Sequence, residues 1–326
     1  MKPVHPQQAQ PLVIAHRGAS GYLPEHTLAA VAYAHAVGSD FIEQDLVLTK
    51  DHQAIVLHDI YLDTVTDVKD RFPNRANDDG RFYAADFTLA EIKTLRVNER
   101  IDVETSTNVY PNRFPQGKSD FHVPTFAEEI ELIEGLNKST SNETKKRNVG
   151  LYVEIKKPAW HRQRGLDVSK VVLEVLKQYG YESKTDNAIV ESFDPQETKR
   201  IRNELGCELR ITQLIASNDW NEADTDFEKM LTGEGLKEIA TYADGIGPWI
   251  NLIDLGKTAS SNLDVVSIAH QQGLVVHGFT FRADDLPEGY DSFAALTERF
   301  VALGIDGMFT DFPDRTRQLV DSIATE

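Results

Sequence analysis

Two features are nearly missing from this chain of 326 residues. Cys207 is its single cysteine, so no intramolecular disulfide can form. No apolar run approaches the roughly 20 residues that a membrane-spanning helix needs, and the first residues lack the apolar core of a secretory signal. We therefore expect neither a disulfide-stapled scaffold nor a membrane span. Two locations remain open: the cytoplasm, or an exported form from which a signal has been removed.

Positive charge is also scarce. The chain carries 34 Lys and Arg against 52 Asp and Glu, which gives a net charge of −18. Such a balance repels nucleic acid and anionic lipid surfaces, so we expect neither as a partner. The chain also has no G-x-G-x-x-G sequence and no P-loop where a nucleotide would need one.

Three short apolar runs near the start of the chain each end in polar groups. They occupy 13–18, 41–45 and 54–59. Runs of this kind are typical of buried strands, and a parallel α/β sheet presents its site at the carboxyl ends of such strands. The sequence therefore predicts a functional site within the first sixty residues.

Strand and helix patterns alternate along the rest of the chain. Strands are predicted at 41–49, 53–57, 150–155, 188–192, 209–215, 245–247, 275–281 and 307–310, and helices at 26–37, 125–136, 166–179, 195–205, 227–242, 261–272, 292–303 and 315–323. With 61–123 set aside, about eight units remain in roughly 250 residues, as in an α/β (β/α)₈ TIM barrel. We predict one barrel domain over 11–323. A doubly wound open sheet is the competing arrangement.

The stretch 61–123 differs in character from its surroundings. It is rich in Asp and Asn and is broken by Pro and Gly, while its aromatic residues indicate that it folds. One short helix is predicted at 89–95, opened by Thr88 with Glu91 three residues later, a capping-box pattern. We interpret 61–123 as an insertion subdomain after the second β/α unit.

Paired polar residues mark the ends of two predicted strands. Glu43 and Asp45 are two residues apart, so their carboxylates share one face of a strand and could share a hard cation such as Mg²⁺ or Ca²⁺. Glu154 and Lys156 repeat this spacing on another strand, which offers a third carboxylate and a cation for an anionic ligand. The alternatives are a solvated strand face for the first pair and an ordinary ion pair for the second.

His16 and His58 follow two separate predicted strands. Each could accept or donate a proton near neutral pH, and Arg17 next to His16 carries a fixed charge suited to phosphate. A single histidine at a strand end is more often structural than catalytic. The argument for a catalytic role is therefore that the histidines, the arginine and the carboxylates all occur at strand ends.

Several motifs occur in order and carry a resemblance that extends over nearly the whole chain. They are His-Arg-Gly-Ala at 16–19, Pro-Glu-His-Thr at 24–27, Glu-Gln-Asp at 43–45, Leu-His-Asp at 57–59 and Glu-Ile-Lys at 154–156. The chain resembles the glycerophosphodiester phosphodiesterase family, and through 61–73 its bacterial periplasmic branch. Members of that family are (β/α)₈ barrels with an insertion after the second unit.

The resemblance implies a reaction and a set of roles. The reaction is metal-dependent hydrolysis of glycerophosphodiesters, such as glycerophosphocholine or glycerophosphoethanolamine, to sn-glycerol 3-phosphate and an alcohol. The implied cofactor is one Ca²⁺, with Mg²⁺ as the alternative, and the implied location is the periplasm. The implied roles are metal ligands for Glu43, Asp45 and Glu154, an acid/base pair for His16 and His58, phosphate contacts for Arg17 and Lys156, and apolar ligand contacts for Phe193 and Phe279.

Other functions remain open from the sequence. Core packing is the alternative role for Phe193 and Phe279, and the attacking hydroxyl group could belong to water or to the substrate's glycerol. A lyase of the sphingomyelinase D type shares the histidines and the Glu-x-Asp pair. A binding module without activity and a barrel lyase or isomerase acting on sugar phosphates are weaker choices, the last because only the fold suggests it.

Overall fold

The computed structural model describes residues 10–139, 148–254 and 264–323, which form a closed barrel of parallel strands surrounded by helices. The strands are β1 (Leu12–Ala15), β2 (Phe41–Leu48), β3 (Ala54–Val56), β4 (Gly150–Ile155), β5 (Ala188–Ser192), β6 (Arg210–Ile215), β7 (Gly245–Pro248), β8 (Val275–Phe281) and β9 (Gly307–Thr310). Eight of them run parallel in the order β1, β2, β4, β5, β6, β7, β8, β9, and β9 pairs back onto β1. This closure confirms the TIM barrel and excludes the open sheet.

The helices lie between the strands. They are α1 (Leu28–Ala36), α2 (Val68–Arg71), α3 (Leu89–Ile92), α4 (Phe126–Ser139), α5 (Pro158–Gln163), α6 (Val168–Gln178), α7 (Pro195–Asn203), α8 (Phe227–Met230), α9 (Gly233–Ile239), α10 (Ile250–Ile253), α11 (Val265–Gln271), α12 (Phe293–Leu303) and α13 (Pro313–Ile323), with short 3₁₀ helices at Ala84–Asp86 and Asn218–Trp220. Within the described ranges, no helix is both long and apolar enough to cross a membrane.

The start of the first helix differs from the prediction. The predicted helix 26–37 begins only at Leu28, because His26 has a positive φ of 60° and Thr27 is the N-cap, accepting a hydrogen bond from the Ala30 amide at 3.2 Å. The Thr88 capping box is present as predicted. The first three residues of the predicted helix 261–272 lie outside the described residues.

Side chains of β2 show how the barrel is built. All eight residues of β2 are buried, yet they alternate in character. Phe41 joins Tyr152 and Phe309 in an apolar cluster inside the barrel, whereas Ile42 and Leu46 belong to the larger core beneath the helices. Glu43 and Asp45 share the inward face with Phe41 because strand side chains alternate. The acidic pair therefore lies inside the barrel, next to this apolar cluster.

The segment between β3 and α4 has an apolar cluster of its own. β3 lies antiparallel on β2, with Leu46 opposite Val56, and does not belong to the barrel ring. The cluster contains buried side chains from β2, β3 and the segment, among them Val47, Ile55, Leu62 and Phe87. The assignment of 61–123 as an inserted subdomain remains a prediction.

Candidate active site

One cavity lies over the carboxyl ends of the barrel strands. Every residue predicted for the site lines this cavity except Asp45, which is buried behind it. The lining residues that come from the predicted set are His16, Arg17, Glu43, His58, Glu154, Lys156, Phe193 and Phe279. The barrel thus brings together side chains that are far apart in sequence, which is the arrangement expected of a TIM-barrel site.

Three buried carboxylates meet in this cavity. One oxygen each of Glu43, Glu154 and Glu191 lies within 4.8 Å of the others. Glu191 stands beside Glu154 in the register of β4 and β5, and within the described chain its Oε2 atom has no hydrogen-bond partner. These oxygens form a donor set suited to a hard divalent cation.

Asp45 lies behind Glu43 and is held by three cationic or potentially cationic groups. Its Oδ2 is 2.7 Å from His26 Nε2 and 3.3 Å from Arg17 Nε, and its Oδ1 is 3.4 Å from Lys156 Nζ. With Glu43 and His26, Asp45 also forms a second group whose ligand atoms lie within 4.8 Å of one another. Its predicted role as a metal ligand therefore stays a prediction.

The carboxyl groups of this cluster resist ionising together. Burial, then the charge of Asp45, raises the pKa of Glu43 well above its usual range. Burial likewise raises the pKa of Glu154 to about 8, although Lys156 acts in the opposite direction. Like charges in a buried site disfavour each other's ionised forms, and a bound cation removes that conflict.

Two cations border the cluster. Lys156 Nζ lies 2.7 Å from Glu154 Oε1, so the ion pair considered from the sequence is present. The Arg17 amide donates to Glu43 Oε2 at 2.8 Å, and its guanidinium donates to Glu25 Oε2 at 3.1 Å. Both side chains also line the cavity, where they can meet a phosphate.

His16 is backed by a buried carboxylate. Its Nδ1 lies 2.6 Å from Oδ1 of Asp311, which is 1% exposed. The other oxygen of Asp311 accepts hydrogen bonds from Arg113 Nη2 at 2.7 Å and from Arg282 Nε at 2.9 Å. Because a carboxylate only accepts hydrogen bonds, the proton of neutral His16 lies on Nδ1 and leaves Nε2 as a base.

His58 has an equivalent partner from a different part of the fold. Its Nδ1 lies 2.7 Å from Asp59 Oδ1, and Asp59 Oδ2 accepts from Arg100 Nη1 at 2.7 Å and from Thr64 Oγ1 at 2.8 Å. Arg100 in turn forms a bidentate pair with Glu25, at 2.9 and 2.6 Å. As in His16, Nδ1 of His58 therefore bonds a carboxylate, and Nε2 is left for a ligand.

Both imidazoles are neutral at physiological pH in this arrangement. Burial, followed by the charge of Arg17, lowers the pKa of His16 to about 3. Burial and the charges of Arg17 and Lys156 lower the pKa of His58 to about 4. Two neutral imidazoles that face one cavity can each accept a proton, and an anionic ligand between them would favour their protonated forms.

Comparison with known proteins identifies the family. Residues 16–315 match the family model described as "Glycerophosphoryl diester phosphodiesterase family". The chain belongs to this family. It is 43% identical to a glycerophosphodiester phosphodiesterase of Haemophilus influenzae, over 93% of this chain and 88% of that protein, and 37% identical to one of Treponema pallidum, over 93% and 90%. The predicted enzyme class, a glycerophosphodiester phosphodiesterase, is confirmed.

Solved structures of family members share the fold. A putative glycerophosphoryl diester phosphodiesterase from Silicibacter pomeroyi superposes with a TM-score of 0.72 at 24% identity, over 98% of this chain and 95% of that one. A phosphodiesterase from Oleispira antarctica, in complex with the product sn-glycerol-3-phosphate, superposes with a TM-score of 0.65 at 21% identity, over 96% and 97%.

Several residues of this phosphodiesterase site were not found from the sequence. They are Glu191, Trp220, Glu222, Trp249, Arg282 and Asp311. Three of them carried a usable signal: Glu191 is a carboxylate within a predicted strand, and Arg282 and Asp311 directly follow the last two predicted strands. Trp220 and Glu222 belong to a loop after β6 that no strand-end rule singles out.

Proposed function

We propose that this phosphodiesterase hydrolyses glycerophosphodiesters such as glycerophosphocholine and glycerophosphoethanolamine to sn-glycerol 3-phosphate and the free alcohol, with His16 and His58 as its acid/base pair. The observation that carries this proposal is the pair of carboxylate-backed histidines that line one cavity with Arg17 and Lys156. Phe193 and Phe279 line the same cavity and are proposed as apolar contacts of the ligand.

The proposed proton transfers follow from the orientation of the two rings. Nε2 of one histidine takes a proton from the attacking hydroxyl group, and the other histidine, once protonated, gives one to the departing alcohol oxygen. Asp311 and Asp59 hold the Nδ1 atoms and stabilise each ring when it becomes positive. Arg17 and Lys156 offset the negative charge that develops on the phosphate oxygens.

The acidic residues fit a divalent cation. Glu43, Asp45 and Glu154 are the proposed ligands, and the unpartnered Oε2 of buried Glu191 adds one more oxygen. When bound, the cation supplies positive charge for the phosphate oxygens. We propose Ca²⁺, with Mg²⁺ as the alternative, because an all-carboxylate set suits the higher oxygen coordination of Ca²⁺, whereas Mg²⁺ keeps several waters.

The test is release of glycerol 3-phosphate from glycerophosphocholine in a coupled assay. Protein stripped with EDTA should be inactive and should recover with Ca²⁺ or Mg²⁺. His58→Ala and Glu43→Ala should each abolish turnover while the protein stays folded, whereas His122→Ala, outside the cavity lining, should not. Retained activity in either site variant would overturn the assignment.

We also propose a periplasmic location, with the cytoplasm as the alternative, on the resemblance to exported members of the family. Cell fractionation of the native host with marker enzymes for each compartment tests this. Recovery with the cytoplasmic marker would contradict it.

A further inference from the structure

One wall of the cavity consists of aromatic rings. Trp220 and Trp249 have ring centroids 4.9 Å apart, and Trp220 lies 6.3 Å from Phe279. These three residues, here called the aromatic wall, come from three different parts of the barrel rim: a 3₁₀ helix after β6, the end of β7 and strand β8. Residues drawn from separate elements onto one cavity surface suggest a binding role, since packing alone does not require rings to face a cavity.

The wall extends from the phosphate-binding groups to solvent. Lys156 Nζ lies 5.7 Å from the centroid of Phe193, and Phe193 packs edge-on against Phe279 at 5.7 Å. Beyond Phe279 the indole of Trp220 is 43% exposed. A phosphodiester held by Lys156 can therefore direct one ester arm along these rings toward solvent.

A carboxylate lies beside the aromatic wall. Glu222 lines the same cavity, and its Oε2 is 2.7 Å from Lys157 Nζ. Burial alone would raise the pKa of Glu222, but the positive charges of Lys156 and Lys157 lower it, so the group is ionised at neutral pH. Glu222 therefore adds a negatively charged group to the cavity that these rings line.

The loop that carries Trp220 and Glu222 is held in place before any ligand arrives. Lys157 Nζ also donates to the main-chain oxygens of Asn221 and Glu222, at 3.4 and 3.3 Å. At the start of the loop, the side-chain oxygen of Asn218 accepts from the Phe227 amide at 2.7 Å. Preorganised groups lose little freedom on binding, so the wall is built to select a ligand.

We infer that the aromatic wall and Glu222 form a subsite for a positively charged head-group alcohol, with a quaternary ammonium of the choline type as its best ligand. This inference rests on the proposed function, and it names the head group that the enzyme prefers among the substrates of that function. Aromatic faces attract cations through their quadrupole, and recognition of quaternary ammonium by rings is a recurrent use of that attraction. The carboxylate of Glu222, which is paired with Lys157, offers the cation a second negatively charged contact, whereas a neutral polyol head group gains from neither.

The kinetic test compares two glycerophosphodiesters that differ in head-group charge. The wild-type enzyme should show about tenfold higher kcat/KM for glycerophosphocholine than for glycerophosphoglycerol, which corresponds to about 1.4 kcal/mol. Trp249→Leu and Glu222→Gln should each remove most of this preference by lowering kcat/KM for glycerophosphocholine, with less than about threefold change for glycerophosphoglycerol.

A binding measurement checks the same inference without turnover. The chain has three tryptophans, and Trp160 stacks on Tyr83 away from the cavity lining. In a Trp160→Phe variant, indole fluorescence therefore reports only the aromatic wall. Choline should give a saturable change, and its uncharged isostere 3,3-dimethylbutan-1-ol should bind at least about fivefold more weakly. This variant also serves as the kinetic control, since it should keep the head-group preference.

The outcomes separate this inference from the proposed function. If the wild-type enzyme releases glycerol 3-phosphate from neither diester, the proposed function fails. If it hydrolyses both equally well, or if Trp249→Leu and Glu222→Gln lower both rates alike, the function stands and the cationic subsite is overturned. Equal binding of choline and its isostere, or no saturable binding of choline, likewise overturns it.

Discussion

Replacing Asp311 by Asn should move the imidazole proton of His16 from Nδ1 to Nε2, while the side chain at position 311 keeps its size. Asp311 Oδ1 now accepts from His16 Nδ1 at 2.6 Å. An Asn at this position can present its amide NH₂ to the ring instead, which moves the imidazole proton to Nε2. The nitrogen that faces the cavity would then be a donor, and His16 could no longer accept a proton there.

The magnitude follows from the contacts of Asp311. Loss of the carboxylate behind a catalytic histidine costs up to about 10⁴-fold in kcat in a serine protease. For Asp311→Asn we expect about 10²- to 10³-fold, which is about 3 to 4 kcal/mol in the activation free energy. The change also leaves Arg113 and Arg282 without their shared anion, at 2.7 and 2.9 Å. We expect a loss of about 3 kcal/mol in unfolding free energy, as for other broken buried ion pairs.

The assay is steady-state glycerol 3-phosphate release at 20 °C or below, together with urea unfolding to show that the variant is folded under these conditions. Asp284→Asn is the matched control, because Asp284 accepts from Arg113 at 2.9 and 3.1 Å but has no recorded contact with His16 in the described chain. The Asp284→Asn variant should keep kcat within about threefold of wild type. A folded Asp311→Asn enzyme with kcat within tenfold of wild type would refute the proposed role of the Asp311 carboxylate.

Two further predictions concern buried carboxylates. Ca²⁺ should raise the melting temperature of the EDTA-stripped protein, and Glu43→Gln or Glu191→Gln should weaken that effect by about tenfold or more in apparent affinity; an undiminished effect in both would contradict the metal site. Glu99 is 3% exposed, and burial followed by the charge of Glu25 raises its pKa to about 8 from 4.5. Its proton is lost in the unfolded chain before the folded one, so stability falls as pH rises from 4.5 to 8. Glu99→Gln should therefore gain stability over wild type across that range, by roughly 4 kcal/mol at pH 8, and a gain that does not grow with pH would be inconsistent with this pKa.

The barrel could be predicted because each unit carries its pattern locally. In β2 the apolar residues and the carboxylates Glu43 and Asp45 fall within one buried run, and the same is true of Glu154 in β4. A strand of this kind between two amphipathic helices leaves few arrangements other than a parallel α/β fold. The rule that barrel sites lie at strand carboxyl ends then locates the cavity.

Pairings across the closed barrel could not be predicted in the same way. His16 and Asp311 are 295 residues apart in sequence, and they meet because β1 pairs with β9. No local pattern states that the last strand returns to the first. The position of Asp311 after the last strand marks it as a candidate, but only the closed ring shows that it supports His16.

The strand that leads to His58 differs from the one that the sequence predicts. The run 54–59 resembles the other strand-end runs, yet β3 is antiparallel to β2 and lies outside the ring. A short turn at 50–53 reverses the chain, and this reversal carries His58 to the cavity. A pattern of apolar residues does not specify strand direction, so the sequence placed His58 at the end of a parallel strand, whereas it follows the antiparallel strand β3 and lines the cavity from there.

The segment between β3 and α4 supports the proposed catalytic histidine His58. Asp59, which orients His58, is held by Arg100 at 2.7 Å. Arg100 also pairs with Glu25 at 2.6 Å, and Glu25 accepts from Arg17 at 3.1 Å. This series of ion pairs links a histidine from the hairpin to Arg17, the proposed phosphate contact that follows β1, through an arginine that belongs to the segment. Because these ion pairs are partly buried, removal of Arg100 leaves unpaired charges beside both groups, so a barrel trimmed of this segment would lose the geometry that the proposed chemistry requires.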